Sequence, residues 1–460
     1  MHIAQPHSFH AKPRSHSSQT LSLSKDGRAV SSSPTQEPIT EITRPSQDFL
    51  SMTQAKEALD QVDFHRLDAF VATVAGAVSA GQAKEPAGAD KVELYLGAHY
   101  KKSFEVELGL QHGPGAPLMV ILPGIYGGKG GGYSSQLKRE AHDRGMNYLT
   151  IPNPLSKDAL KEEPKFHPGN PELEAEVVVE ILQKLKAKHP DHFEQVSITG
   201  YSYGGLLSAN VVRLDESNHT DSNRLITGGM FAVSPPENLH DSMLQLDGLR
   251  QQYKNGAGSI ITRGLKYRRE VKKRGYSNFP QSSLAQAGPG TNQTEIKISD
   301  VFGSRNGMKH MVDVVDKKFG HNKLPKDRQG GPRKPPGGSK RKAALERMTY
   351  AKYSEGWFAN DSWLVERGLT PQEMAEKFSF TQAMGKIERT PILTVLSKDD
   401  YIINENNLDS FRDLEAQDQP LEKTKVISHG GHIGLLFNPN LSATIADFAF
   451  STASNPERFD

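Results

Sequence analysis

The sequence predicts an α/β fold with a mostly parallel sheet flanked by helices on both faces. Apolar runs of strand length alternate with amphipathic runs of helix length through residues 118–233, and this alternation is typical of strand–helix–strand crossovers. A glycine-rich pentad stands where one strand passes into a helix, and two strand-like runs near the C-terminus end in polar loops. Because parallel strands present their carboxyl ends at one edge of a sheet, we expect the polar residues of these loops to meet there.

Two regions precede the predicted sheet. Residues 1–48 are rich in Ser, Pro, Gln, Thr and His, so they bury too little apolar surface to offset chain entropy, and we expect a disordered tail. Residues 49–90 are expected to form an N-terminal helical segment that includes the Ala-rich run 70–80. No secretory signal and no run of bilayer-spanning length is recognisable, which favours a cytoplasmic location. The polar tail leaves secretion without a signal peptide open as the alternative.

The α/β core is expected to occupy residues 91–235 and 389–460. It begins with two runs of alternating polarity that are typical of antiparallel strands, 92–96 and 103–110. The further elements expected up to residue 233 are strands at 118–122, 147–151, 195–199 and 225–233 and helices at 133–143, 171–188 and 204–213.

The pentad that follows strand 195–199 reads Gly200-Tyr201-Ser202-Tyr203-Gly204. A G-x-S-x-G turn between a strand and a helix is a nucleophile elbow, in which glycines make room for a serine in a strained backbone conformation. A serine hydroxyl is a weak nucleophile at neutral pH, so it needs a base to take its proton and an acid to orient that base. Ser202 is therefore the predicted nucleophile.

The acid is expected on the loop after the strand-like run 390–396, where Asp399 and Asp400 are adjacent. In an elbow-bearing sheet the chain order is Ser, then Asp or Glu, then His. Asp400 is favoured because apolar residues follow it and could fix the loop. Asp399 stays open as the alternative, and otherwise it would face solvent or pair with Lys398.

The base is expected in the segment His429-Gly430-Gly431-His432-Ile433-Gly434, which follows a β-rich run at 424–428. The glycines around His432 would let the loop bring its imidazole over Ser202. His429 precedes the glycines and is expected at the end of the strand.

An oxyanion hole needs two backbone N–H groups aimed at the developing negative charge. One is expected from Tyr203, the residue after the nucleophile, and the second from the loop that follows strand 118–122. Ile125 in Pro123-Gly124-Ile125 is the candidate. The same loop departs from a phosphate-binding loop because Pro123 replaces the first glycine and Gly130 follows Lys129.

This ordered set of motifs resembles the α/β-hydrolase superfamily. Three further segments are similar to its YheT-like branch: His167-Pro168-Gly169-Asn170, the run 234–239 and the Asp399-Asp400 pair. The resemblance covers roughly residues 90–250 and 350–450, and it implies an α/β-hydrolase fold and an esterase or lipid-active hydrolase. The chain departs from the branch at Pro123, where members usually carry His, and at Tyr401, where they often carry Pro.

Residues 236–388 form an insertion far longer than an ordinary loop, and we expect a cap or lid over the substrate cleft. Residues 305–342 are dense in Lys, Arg, Gly and Pro and are expected to be a flexible basic loop. Weak contact with an anionic membrane is possible for such a loop. Nucleic acid is not expected as a partner, because no aromatic-bearing recognition module accompanies the basic residues.

The amino-acid composition excludes some kinds of site. The 56 Lys and Arg nearly balance 54 Asp and Glu, and the absence of cysteine excludes disulfides and thiolate metal ligands. No metal or organic cofactor is expected. The sequence thus predicts a serine hydrolase that cleaves small-molecule or lipid carboxylic esters through an acyl-enzyme. The alternatives are an acyltransferase on the same scaffold and a non-catalytic binding protein that docks through its basic insertion.

Overall fold

The computed structural model describes residues 51–61, 83–252, 307–321, 323–325, 340–417 and 419–455. The predicted tail at 1–48, the run 70–80 and residues 326–339 of the basic loop lie outside the described residues. Where the prediction can be compared, the expected α/β fold is confirmed.

The described residues include an eight-stranded β-sheet. Its strands are β1 Asp90–Leu94, β2 Phe104–Gly109, β3 Leu118–Leu122, β4 Asn147–Thr150, β5 Val196–Tyr201, β6 Met230–Val233, β7 Ile392–Ser397 and β8 Glu422–Ile427. Their order is β1-β2-β4-β3-β5-β6-β7-β8. Strand β2 runs antiparallel to β1 and β4, and the other neighbouring strands are parallel.

Helices follow most strands. The α-helices are α1 Met52–Gln61, α2 Gly132–Asp143, α3 Lys157–Leu160, α4 Pro171–Lys188, α5 Tyr203–Asn218, α6 Leu239–Gln252, α7 Lys340–Leu345, α8 Tyr350–Gly356, α9 Ser362–Arg367, α10 Pro371–Lys377, α11 Phe380–Met384, α12 Glu405–Gln417 and α13 Pro439–Ser454. A further helical run covers residues 307–318. Short 3-10 helices lie at Pro190–His192, Asp221–Asn223, Phe358–Asn360 and Gly434–Phe437.

Both faces of the sheet are covered. Helices α4 and α5 pack together, and α5 lies against β5 and β6, whereas α13 packs with α2 and against β5. Helix α4 begins where its sequence predicts, because the Asn170 side chain accepts hydrogen bonds from the N–H groups of Glu172 and Leu173 and Pro171 occupies the first turn.

Strand β6 is shorter than the predicted strand 225–233. The N–H groups of Leu225 and Ile226 donate to the buried Asp215 carboxylate, each at 3.0 Å. They are therefore engaged by a side chain of α5, and regular strand structure starts only at Met230.

The turn from β5 into α5 is the predicted elbow. Ser202 has φ 54° and ψ −133°, a conformation that non-glycine residues rarely adopt. A Cβ atom on Gly200 would lie 2.1 Å from the Gly204 carbonyl oxygen, and one on Gly204 would lie 2.0 Å from the Leu122 carbonyl oxygen. Only glycine fits at these two positions, so β3 and the elbow approach each other at backbone contact.

The chain between β6 and β7 forms the β6–β7 insertion, residues 234–391. The prediction of a flexible loop over 305–342 is wrong for residues 307–318, which are helical. Met311, Val312 and Val315 are fully buried there, since apolar residues recur at helical spacing among the basic ones. Arg341 is also buried, and its guanidinium donates to Asp313 at 2.6 Å and to Asp316 at 3.1 Å.

None of the helices in the described part of the chain combines the length and the apolar character that a bilayer crossing requires.

Gly204→Ala is expected to disrupt the elbow. The added methyl group would press on backbone atoms of β3, which cannot move without breaking the sheet, so the free energy of unfolding should fall by about 3 kcal/mol or more. Gly248→Ala is the matched control, because a Cβ atom there meets open space within α6. Thermal or urea unfolding of both variants measures the effect, and equal stability of the two would contradict the described packing.

Candidate active site

Ser202 lies at the carboxyl end of β5, in the middle of the sheet. Its side chain is largely buried, with 7% of the residue exposed. The hydroxyl oxygen is 2.7 Å from Nε2 of His432, although 230 positions separate the two residues in the chain. The fold therefore brings the predicted nucleophile and the predicted base into direct hydrogen-bond contact.

The other imidazole nitrogen of His432 faces Asp400. Nδ1 is 3.0 Å from Oδ2 and 3.2 Å from Oδ1 of that carboxylate, and both residues are buried. A carboxylate only accepts hydrogen bonds, so this contact favours the tautomer with the proton on Nδ1. Nε2 is then the acceptor, which is the state a base needs to take the proton of the Ser202 hydroxyl.

The loop that carries His432 has an unusual backbone. Gly431 and Ile433 have φ values of 59° and 53°, on either side of the histidine. The Ile433 N–H donates to Oγ of Ser234 at 3.2 Å, and Oγ of Ser397 donates to the Gly431 carbonyl at 2.9 Å. Serines at the ends of β6 and β7 thus hold the loop in place. Sequence reasoning missed their role, because nothing local marks a serine as a partner of a distant loop.

The two adjacent aspartates have different tasks. Asp400 accepts the Ile402 N–H at 3.0 Å and faces His432. Asp399 accepts the Gly431 N–H at 2.8 Å. The expectation that Asp399 faces solvent or pairs with Lys398 is wrong, because its side chain is only 16% exposed and bends toward the histidine loop. Burial raises the pKa of Asp399, and the Gly431 hydrogen bond opposes that rise.

His429 lies just beyond the end of β8, which closes at Ile427. Its Nδ1 is 3.8 Å from Oδ2 of Asp399. His429 therefore lies near Asp399, whereas His432 faces Asp400. The two histidines of the motif are separated in space by the glycines between them.

The loop after β3 lies against the nucleophile. A Cβ atom on Gly124 would be 3.0 Å from Cβ of Ser202, so Gly124 allows close approach. The Gly127 N–H donates to the Gly124 carbonyl at 2.9 Å, which closes a turn around Ile125. The Asn153 amide donates to the Pro123 carbonyl at 3.2 Å and so fixes the start of the loop.

Tyr203 is the first residue of α5. The first N–H groups of a helix have no carbonyl partner within the helix, and the positive end of the helix dipole lies there. The Tyr203 and Ile125 N–H groups are thus on the two backbone segments that border Ser202. That these two groups form an oxyanion hole stays a prediction.

The Tyr203 side chain reaches a carboxyl group that sequence reasoning missed. Its hydroxyl donates to Oε2 of Glu174 at 2.6 Å, and the Gly169 N–H donates to Oε1 at 2.7 Å. Glu174 is fully buried, and burial raises its pKa to about 7, against the effect of these two hydrogen bonds. No signal in the sequence marks it, because a glutamate in the first turn of a helix is ordinarily explained by the helix dipole.

The segment His167-Pro168-Gly169-Asn170 joins the core to the insertion. His167 Nδ1 is 2.8 Å from Oδ2 of Asp361, and the Tyr353 hydroxyl donates to the Pro168 carbonyl at 2.8 Å. Asp361 and Tyr353 both belong to the β6–β7 insertion. This motif thus lies between Glu174 and the insertion.

The ammonium group in the glycine-rich loop after β3 has a partner on the sheet. Lys129 of the glycine-rich loop forms an ion pair with Glu105, so its ammonium group is directed at β2. Within the residues that the structure describes, no group of three or more His, Asp or Glu side chains is arranged to hold a metal ion.

The chain was also compared with known proteins. No protein-family model matches it, and no curated protein matches it. Among solved structures it is similar to a 2,6-dihydroxy-pseudo-oxynicotine hydrolase, at 13% identity over 79% of this chain and 68% of that one, with a TM-score of 0.41. An esterase from Pyrococcus furiosus shares 12% identity over 80% of this chain and 91% of that one, with a TM-score of 0.38.

A thioesterase domain from the curacin biosynthetic pathway is similar at 13% identity over 79% of this chain and 99% of that domain, with a TM-score of 0.36. The fold is defined by the strand order, by the antiparallel β2 at one side of a parallel sheet, and by the elbow after β5. On these grounds the chain has the α/β-hydrolase fold.

Proposed function

We propose that this protein is a serine hydrolase that cleaves carboxylic esters through an acyl-enzyme intermediate. The observation that carries the proposal is the buried hydrogen-bonded chain from Ser202 through His432 to Asp400. A binding protein does not need a nucleophile, a base and an acid in this order and at these distances. The retention of all three therefore supports catalysis over a binding role.

In the first half-reaction Oγ of Ser202 attacks the ester carbonyl carbon while Nε2 of His432 takes the hydroxyl proton. The carbonyl π electrons move to oxygen and form a tetrahedral oxyanion. When that oxyanion collapses, the C–O bond to the alcohol breaks, and His432 returns its proton to the leaving alkoxide. Asp400 stays ionised and stabilises the imidazolium that exists between the two transfers.

In the second half-reaction a water molecule attacks the acyl-enzyme. His432 takes one proton from the water, and a second oxyanion forms and collapses with release of the Ser202 oxygen. The proton returns from His432 to that oxygen, and the carboxylic acid leaves. The enzyme is restored with one ester and one water consumed and one acid and one alcohol formed.

The backbone N–H groups of Ile125 and Tyr203 are proposed to hold the oxyanion in both half-reactions. Such donors are fixed before the charge develops, so little reorganisation is needed when it does. The side chains of Ile125 and Tyr126 are partly buried and pack against the hydrophobic core. The Tyr401 ring lies 6.3 Å from the ring of His432. These neighbours support an uncharged acyl group, from a small-molecule or lipid ester, as the substrate.

Ser202→Ala is expected to lower kcat for p-nitrophenyl acetate and butyrate by about 10⁴ or more, because no other group replaces the nucleophile. Labelling by a fluorophosphonate should disappear in the same variant. Ser217→Ala near the end of α5 is the matched control and should behave as wild type in both assays. Labelling that persists in Ser202→Ala would remove this serine from the nucleophile role.

Asp400→Asn is expected to lower kcat by about 10⁴, because an amide can donate to Nδ1 of His432 and so place the imidazole in the wrong tautomer. Asp399→Asn retains an oxygen that can accept the Gly431 N–H, so its kcat should stay close to that of wild type. Steady-state kinetics on both variants at one pH separates the two roles. Loss of activity only in Asp399→Asn would contradict the assignment of the acid.

A further inference from the structure

Glu174 lies one hydrogen bond away from the residue that follows the nucleophile. Helix α4 carries it, and α5 carries Tyr203, so the contact at 2.6 Å ties the two helices together directly beside the elbow. The second carboxyl oxygen accepts the Gly169 N–H at 2.7 Å. Gly169 has a φ of 109°, a backbone conformation that favours glycine.

Four phenols lie near enough to this carboxyl group to sense its charge. Besides Tyr203, the hydroxyls of Tyr100, Tyr350 and Tyr353 are close enough for the charge of Glu174 to add to the rise that burial produces in their pKa values. Tyr100 lies just before β2, and Tyr350 and Tyr353 belong to α8 of the insertion. All four phenols remain neutral at physiological pH, so Glu174 is the group of this cluster that titrates there.

Burying a carboxyl group is costly, so a purely structural link between α4 and α5 would be better served by apolar residues. Asn170 already caps α4, so the helix does not need Glu174 for that purpose. What the carboxyl group provides is a fixed position for the Tyr203 ring. Because the ring and the N–H belong to one residue in the first turn of α5, holding the ring restricts the direction of the N–H.

We propose that Glu174 is a positioning residue for the oxyanion hole, which acts by holding the Tyr203 hydroxyl and thereby fixing the Tyr203 N–H. The inference rests on the proposed serine hydrolase function. The ionised carboxylate accepts both the Tyr203 hydroxyl and the Gly169 N–H through charge-assisted hydrogen bonds. When it is protonated, one of its oxygens becomes a donor, and the arrangement is weaker.

The first test compares kcat and KM of Glu174→Gln, Tyr203→Phe and the double variant, with p-nitrophenyl butyrate as substrate. Each single variant should lower kcat about tenfold and leave KM nearly unchanged, because the donor serves the transition state more than bound substrate. The double variant should lose no more than the single ones, since both remove one interaction. Glu176→Gln, on the same helix and half-buried, is the matched control and should keep the wild-type kcat.

The second test uses pH. The kcat ratio of wild type to Glu174→Gln should rise as pH increases through about 7, where the carboxyl group ionises. The stability of wild type relative to Glu174→Gln should instead fall as pH increases. A carboxyl group whose pKa is raised in the folded state favours folding most at low pH, and this contribution is lost as pH rises through the folded pKa. The melting temperature of wild type relative to Glu174→Gln should therefore fall between pH 5 and pH 8.

The outcomes are distinct. Wild-type kcat in both single variants, with Ser202→Ala inactive, would overturn the positioning role and leave the proposed function intact. Equal losses at every pH, with additive effects in the double variant, would reduce Glu174 to a structural residue and would also overturn the proposal. A wild type without Ser202-dependent activity would overturn the proposed function and the positioning role together. Melting temperatures of all variants at one pH show whether each one folds.

Discussion

The close approach of the elbow to β3 is the constraint on which the rest of the site depends. Gly204 lies so close to the Leu122 carbonyl that there is no room for a Cβ atom. In the resulting turn Ser202 has a positive φ. This geometry presents the hydroxyl at the carboxyl end of a central strand. Loops from β7 and β8 reach the same edge, so Asp400 and His432 arrive where the hydroxyl points.

The surrounding loops are held by hydrogen bonds that end on backbone groups. Ser234 and Ser397 hold the histidine loop, Asp399 accepts from Gly431, and Asn153 fixes the loop that carries Ile125. A base placed by several short contacts keeps its direction without help from substrate, which is the preorganisation that proton transfer and oxyanion binding require. The insertion adds a further layer through His167 and Tyr353, both of which lie close to Glu174 along the chain or in space.

Some of this arrangement follows from the sequence and some does not. The meeting of Ser202, Asp400 and His432 could be expected, because short-range patterns place each one at the end of a strand and parallel strands share an edge. The role of Asp399 could not be predicted, because its partner Gly431 lies on a loop 32 positions further along the chain. Glu174 was missed because its partner lies on another helix. The helix at 307–318 is hard to predict because its many basic residues are typical of a solvated loop, although its apolar residues recur at helical spacing.

The central claim is that Ser202 attacks a carbonyl whose oxygen is received by the N–H groups of Ile125 and Tyr203. A crystal structure of the protein after reaction with a fluorophosphonate tests it most directly, because the tetrahedral phosphorus mimics the intermediate. We expect a phosphorus bonded to the Ser202 oxygen, with its non-bridging oxygen about 3 Å from both N–H groups. A phosphonate on another residue, or one whose oxygen points away from both donors, would contradict it.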